Sequence, residues 1–132
     1  MSRMLRFGKF NLVGLIGAVL QLLLFYLLMK ACHVSETGAT FIAVEIVILH
    51  NFLWHERFTW RDREPLSLRQ RTIRLFRFHA GNGLISLFGN ALLTYLLVEW
   101  LSLPAMASAV AAITLCAPAN YFVADRWVYS AA

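Results

Sequence analysis

The side chains best suited to chemistry come in pairs. Asn51-Phe52 is followed, after four intervening positions, by Arg57-Phe58, and the same spacing returns in Asn120-Tyr121 and Arg126-Trp127. A guanidinium is planar, permanently charged and forked, so Arg57 and Arg126 are suited to gripping a phosphate. The competing role is anchorage, in which an arginine at the end of an apolar helix snorkels to the polar boundary. Each also has an acidic neighbour able to neutralise it, Glu56 or Asp125. Exposed loop arginines could anchor a helix without any repeated motif, which favours the ligand role. Lys9-Phe10 and Arg77-Phe78 form a second repeated pair and add Lys9 and Arg77 to the candidate phosphate donors.

Deeper polar groups extend the list. Asn51 and Asn120 precede their arginines by about a turn and a half of helix. In hydrocarbon an amide must find a partner. A bond to a neighbouring helix is the ordinary solution, and contact with sugar hydroxyls or phosphate is the sharper one. Glu45 falls in the middle of an apolar run, where a lone carboxylate costs about 2.5–3.5 kcal/mol on insertion scales. It is either a proton-carrying group or a buried hydrogen-bonding one. On a helical wheel Glu45, Leu49, Phe52 and Glu56 share one face, and His50 and Arg57 share another. Asn82, Ser86 and Asn90 are candidates for a polar path, with Gln21 at the position matching Asn90; interhelical bonding is the competing role for Gln21 and Asn90.

These groups must be positioned by helices in lipid. The chain has 132 residues, 60% of them hydrophobic, and a mean hydropathy of +0.65. A soluble domain is closer to half apolar. Four spans of about 20 residues can be drawn, at about Leu12 to Ala31, Thr37 to Trp54, Ala80 to Leu101 and Pro104 to Val123. The basic N-terminus resembles a secretory signal, but no small-residue cleavage site closes the run, so it reads as a retained first helix. His33-Val34-Ser35-Glu36 and Ser102-Leu103-Pro104 are tight links that make two helical hairpins, with Ser102 the expected N-cap of the fourth helix. Eleven of the twelve Lys and Arg residues lie on one side of these spans, and only Lys30 lies on the other. The positive-inside rule makes that side, with both termini, cytoplasmic. The net charge of +5 therefore points to anionic lipids or phosphate ligands rather than nucleic acid.

The spans also repeat. A slide of 69 residues brings Gly14-Leu15-Ile16 onto Gly83-Leu84-Ile85, Tyr26-Leu27-Leu28 onto Tyr95-Leu96-Leu97, and Asn51-Phe52 onto Asn120-Tyr121. One added residue upstream brings Lys9-Phe10 onto Arg77-Phe78. The expected architecture is a single all-α transmembrane domain over residues 1–132, with copies at about 9–60 and 77–129. An even number of spans per copy makes the repeats parallel, related by a pseudo-two-fold axis along the membrane normal. Glu45 matches Thr114 in the second copy, and Pro118 should free the Thr114 carbonyl and kink the fourth helix. The central loop is expected to hold an amphipathic interfacial helix, about Leu66 to Phe78, with Leu68, Thr72, Ile73, Leu75 and Phe76 opposite Arg71, Arg74 and Arg77. That helix could equally lead straight into the third span. Small residues (Ala105, Ala107, Ser108, Ala109, Ala111 and Ala112) suit the fourth helix to close packing. Trp54, Trp60, Trp100 and Trp127 read as an aromatic belt, and Cys32 and Cys116 as small core residues. His33, His50, His55 and His79 do not cluster at metal spacing, so no metal or cofactor is expected.

The duplicated Asn-aromatic…Arg-aromatic tail, the basic-Phe lead-in to each hairpin and four spans in this length make the chain resemble the GtrA-like proteins. The resemblance covers nearly the whole chain. It implies a non-enzymatic protein of the bacterial cytoplasmic membrane that moves a polyprenyl-phosphate-linked sugar to the outer leaflet, where a membrane glycosyltransferase uses it. Two other functions stay open: a small proton-coupled exporter of cationic compounds, and a non-transporting partner of a glycosyltransferase. Such exporters carry a membrane Glu in the first span, which here has none. Four short helices make a thin wall around a bulky headgroup, so a homo-oligomer is expected.

Overall fold

A computed structural model describes residues 1–63 and 66–130, apart from the side chains of residues 36, 37, 87 and 105. Ala105 of the small-residue stripe therefore lies outside the described side chains. All regular structure among the described residues is helical: α1 (Arg3–Lys30), α2 (Glu36–Trp54), α3 (Leu68–Phe78), α4 (Asn90–Leu101) and α5 (Ala105–Val123). Four π-turns accompany them, at His55–Thr59, His79–Gly83, Ile85–Gly89 and Ala124–Val128. The chain divides into two compact units, Met1–Glu64 and Pro65–Ala132, one for each copy of the repeat.

The first unit is an antiparallel hairpin of α1 and α2. Its reversal is set by His33 in the left-handed region (φ 52°), which lets the Val34 N–H reach back to the Leu28 carbonyl at 3.0 Å. Ser35 then caps α2 by accepting from the Gly38 N–H at 3.3 Å. The second unit repeats this reversal 69 residues later. Ser102 takes φ 52°, and the Leu103 N–H bonds the Leu97 carbonyl at 3.2 Å. Ser102 thus closes α4 instead of capping α5. The position before α5 belongs to Pro104, whose carbonyl accepts from the Ser108 N–H at 2.9 Å.

The buried faces of α2 and α5 are also in register. Ala39, Ala43, Val47 and His55 are buried in one, and Ser108, Ala112, Cys116 and Ala124 at the matching positions of the other. Small side chains every fourth residue let a facing backbone approach closely, the ordinary device where lipid supplies no hydrophobic drive between helices. Cys116 serves this packing as expected, but Cys32 is exposed just past α1. α5 continues past Pro118 to Val123, although Pro118 has no N–H to give the Thr114 carbonyl.

Both motifs end in the same way. The π-turns His55–Thr59 and Ala124–Val128 occupy equivalent positions, closed by Trp60 N–H to His55 O and Tyr129 N–H to Ala124 O, each 2.8 Å. The turns direct Trp60 and Tyr129 inward. Trp60 meets Phe10 edge-to-face at 5.9 Å, and Tyr129 meets Phe78 likewise at 6.4 Å. Trp60 is only 2% exposed, so it is a core residue and not part of an aromatic belt. Trp54, Trp100 and Trp127 stay exposed, as a belt requires.

The third span differs from the first, and the sequence offset explains why. Three residues separate Phe10 from Gly14, whereas four separate Phe78 from Gly83. The extra residue falls inside the π-turn His79–Gly83, where one i→i+5 turn absorbs it without breaking the helix. The helical path then runs through the second π-turn into α4. Three helices, Arg3–Lys30, Gly38–Thr59 and Met106–Val128, are each long and apolar enough to cross a membrane, and the expected third span contributes the shorter apolar α4. No more than 28% of the most apolar stretch of any of these three is buried within the chain. The remaining apolar surface needs lipid.

α3 begins with a capping box in which Ser67 and Gln70 satisfy each other's backbone N–H. Leu68, Ile73 and Phe76 are exposed, so its apolar arc is uncovered. No break separates α3 from the π-turn that follows. The amphipathic segment is therefore the opening of the third helix.

Candidate functional site

At the basic end of the first unit, most cations are already engaged. Arg6 is mostly buried and donates to the Asp62 carboxylate at 2.7 Å, with the N-terminal ammonium 3.7 Å from the same oxygen. Desolvation pushes the Asp62 carboxyl up, but bonds from its own backbone and from Arg6, with the charges of Arg6 and the N-terminus, outweigh it and hold it below the usual carboxylate range. A depressed carboxylate stabilises the fold above its unfolded value, about pH 4, and that stability is lost as pH falls through the folded one. The melting temperature of Asp62→Asn is therefore expected below wild type at pH 6, with the gap closing under about pH 4. The pair is solvent-screened, so the gap should correspond to less than about 1 kcal/mol.

Lys9 is tied as well. Its Nζ donates to the Phe58 carbonyl at 3.4 Å and lies 4.5 Å from the Phe58 ring centroid. Arg57 is different: it is exposed, and it makes no hydrogen bond or ion pair among the described residues. It lines a groove of about 270 Å³ together with His50, Leu53 and Trp54. His50 and Trp54 also line a second groove of about 130 Å³, with Leu12, Val13, Ile16 and Phe58. A cation, an imidazole and an indole thus lie beside a slot whose other walls are apolar. This is the helix face that His50 and Arg57 share on the wheel. Sequence alone does not single out His50 and Trp54, because each has an ordinary membrane-protein role by itself; their i, i+4, i+7 spacing with Arg57 is the signal that joins them.

Asn51 lies against α1. A Cβ on Gly17 would stand 2.8 Å from the Asn51 Nδ2 and 3.0 Å from its Cγ, so glycine is what admits the amide. The Asn51 Oδ1 lies 3.1 Å from His50 Nδ1, which must then carry the proton. The second unit places Asn120 at the equivalent point. There Ser86 stands in the place of Gly17, and Asn120 Nδ2 donates to its hydroxyl at 3.2 Å. Gly17→Val is therefore expected to destabilise the protein by about 1–3 kcal/mol. Gly17→Ser should cost less, because the second copy already accommodates that pair. Unfolding in detergent would check both.

The cations of the second unit are arranged otherwise. Arg126 lies 5.4 Å from the Phe122 ring centroid, and Arg74 lies 5.1 Å from that of Tyr129. Arg77 is exposed on α3. The positions matching His50 and Trp54 are Ala119 and Val123. Close approach here is allowed by Gly81, where a Cβ would meet Val123 Cγ1 at 2.8 Å. The side-chain oxygens of Asn82, Asn90 and Asn120 are buried without a hydrogen-bond partner. Glu45 is half-buried on α2 and is not among the residues lining either groove. Its counterpart Thr114 turns its hydroxyl back to the Val110 carbonyl at 2.8 Å. Among the described residues, no group of three His, Cys, Asp or Glu side chains could hold a metal ion.

No match was found among curated proteins. A family model described as the GtrA/DPMS transmembrane domain matches residues 9–129, from Lys9 at the first lead-in to Tyr129 at the second closing aromatic. A multi-pass helical membrane protein built from this duplicated hairpin, with that match over nearly its whole length, belongs to the GtrA/DPMS transmembrane domain family, a family of membrane domains associated with sugar-lipid translocation.

Proposed function

We propose that this chain carries a polyprenyl-phosphate-linked sugar across the bacterial cytoplasmic membrane, for use by a membrane glycosyltransferase on the outside, and that it does no covalent chemistry itself. One observation carries the reading: an exposed Arg57 lining a groove that shares His50 and Trp54 with an apolar slot. A lipid phosphate has this dual character, with a charged head for the guanidinium and a chain for Leu12, Val13 and Ile16. Trp54 offers an indole face on which a sugar ring can lie. Lys9, Arg77 and Arg126 add positive charge that gathers anionic headgroups, with both termini on the cytoplasmic side. A second copy of the chain would complete the wall around the headgroup.

The test is reconstitution of the purified protein in liposomes. Passage of a polyprenyl-phosphate sugar between leaflets, above the rate of protein-free liposomes, is the expected result. Proton-driven efflux of a cationic dye would indicate the exporter instead. Neither activity, with co-purification of a glycosyltransferase, would indicate a recruiting partner.

A further inference from the structure

We infer that the face of the third helix carrying Asn82, Ser86 and Asn90, with Asn120 opposite, binds the hydroxyls of the ligand's sugar during passage; this rests on the translocation reading above. Three amide oxygens, of Asn82, Asn90 and Asn120, are buried there without a hydrogen-bond partner. An unmet acceptor away from water costs about 1–3 kcal/mol, so three in one unit are a standing demand for donors.

The first repeat serves as an internal control. At the matching positions it has Val13 for Asn82, Gly17 for Ser86 and Gln21 for Asn90. Val13 is a buried core residue. Asn51, the counterpart of Asn120, has its oxygen satisfied by His50 at 3.1 Å. Position 119, which matches His50, is alanine, so Asn120 lacks that donor. The second repeat thus carries more polar groups on the third helix and lacks the group that would quench the one on α5.

Backbone geometry brings these groups into line. A four-residue step overshoots a full turn of α-helix and falls short of a full π-turn. Positions 82 to 89 lie in two π-turns parted only by Leu84, and each four-residue step falls only a little short of a turn there, so 82, 86 and 90 stay near one stripe. The Asn120 Nδ2 bond to Ser86 Oγ, 3.2 Å, places that stripe toward α5.

The chemistry selects the partner. The unmet atoms are neutral carbonyl oxygens, which need a donor that phosphate does not offer, and no carboxylate among these four side chains adds the charge that favours a cation. What they accept is a neutral O–H. Asn120 precedes Arg126 by six residues, about 9 Å of helix rise.

The experiment measures binding of two lipids to the purified protein in nanodiscs: polyprenyl phosphate alone, and the same lipid carrying glucose. Wild type is expected to bind the glucosylated lipid about tenfold tighter. Asn82→Leu and Asn90→Leu should each lose about fivefold of that preference, the worth of one net hydrogen bond, and leave the sugar-free lipid unchanged. If a leucine variant does not fold, Asn82→Ala removes the same oxygen without added bulk and carries the same expectation. Undiminished preference in these variants overturns the inference, as does equal loss of both lipids, which marks a structural role. Wild type that binds the two lipids equally also overturns it and leaves the phosphate reading intact. Wild type that binds neither lipid overturns the translocation reading itself.

Discussion

Trp60→Ala is expected to destabilise the first hairpin by about 3–5 kcal/mol, the range for removing a fully buried aromatic. Trp60 is 2% exposed and is held on two sides, edge-to-face with Phe10 at 5.9 Å and with His55 at 5.4 Å. Phe10 and His55 themselves stack at 4.7 Å, so deletion of the indole opens a cavity beside a pair that cannot easily close it. The His55 ring is further fixed by Thr59 at 3.0 Å. Trp60→Phe should retain most of the packing and cost markedly less. Denaturant unfolding in a fixed detergent distinguishes the two. A loss under about 1 kcal/mol for the alanine variant would mean that the closing aromatic is not what holds the π-turn. Tyr129→Ala should behave similarly in the second hairpin, since Tyr129 is fully buried against Phe78.

Arg57→Ala is expected to lower translocation of the sugar lipid by about 10- to 100-fold. That is the worth of a charge-assisted contact of about 1.5–3 kcal/mol when it is removed. Arg57→Lys should recover only part of the loss, because an ammonium is a point charge without the fork that matches a phosphate. Arg126→Ala should lose less than about threefold. The two arginines are equivalent in sequence but not in surroundings: Arg57 opens on the His50–Trp54 groove, whereas Arg126 lies over Phe122 beside Ala119 and Val123. Rates measured in liposomes at equal protein content decide it. Equal losses in the two variants would make both arginines electrostatic attractors and remove the groove from the mechanism.

Much of this molecule is legible in one dimension. Apolar runs long enough to cross a bilayer, tight polar links between them and a repeat of 69 residues are local properties, because a helix satisfies its own backbone. The duplication of Asn51 and Arg57 at Asn120 and Arg126 needed only the register. Even the π-turn at His79–Gly83 was written as one extra residue between Phe78 and Gly83.

What spacing alone could not assign is which partner each side chain meets. Ser102 has the composition of an N-cap but terminates α4, because a left-handed residue there lets Leu103 satisfy the Leu97 carbonyl. Trp60 has the position of a belt residue but turns inward, because the π-turn at His55–Thr59 redirects the chain onto Phe10. Lys9 was grouped with the arginines by charge, yet its ammonium is tied to Phe58 across the hairpin, while Arg57 makes no such contact among the described residues. The sequence by itself determined the class, the spans and the doubled hairpin, since these depend on hydrophobicity and periodicity. Tertiary structure decided which repeated residues are spent on packing and which remain available to a ligand, since that depends on neighbours distant in the chain.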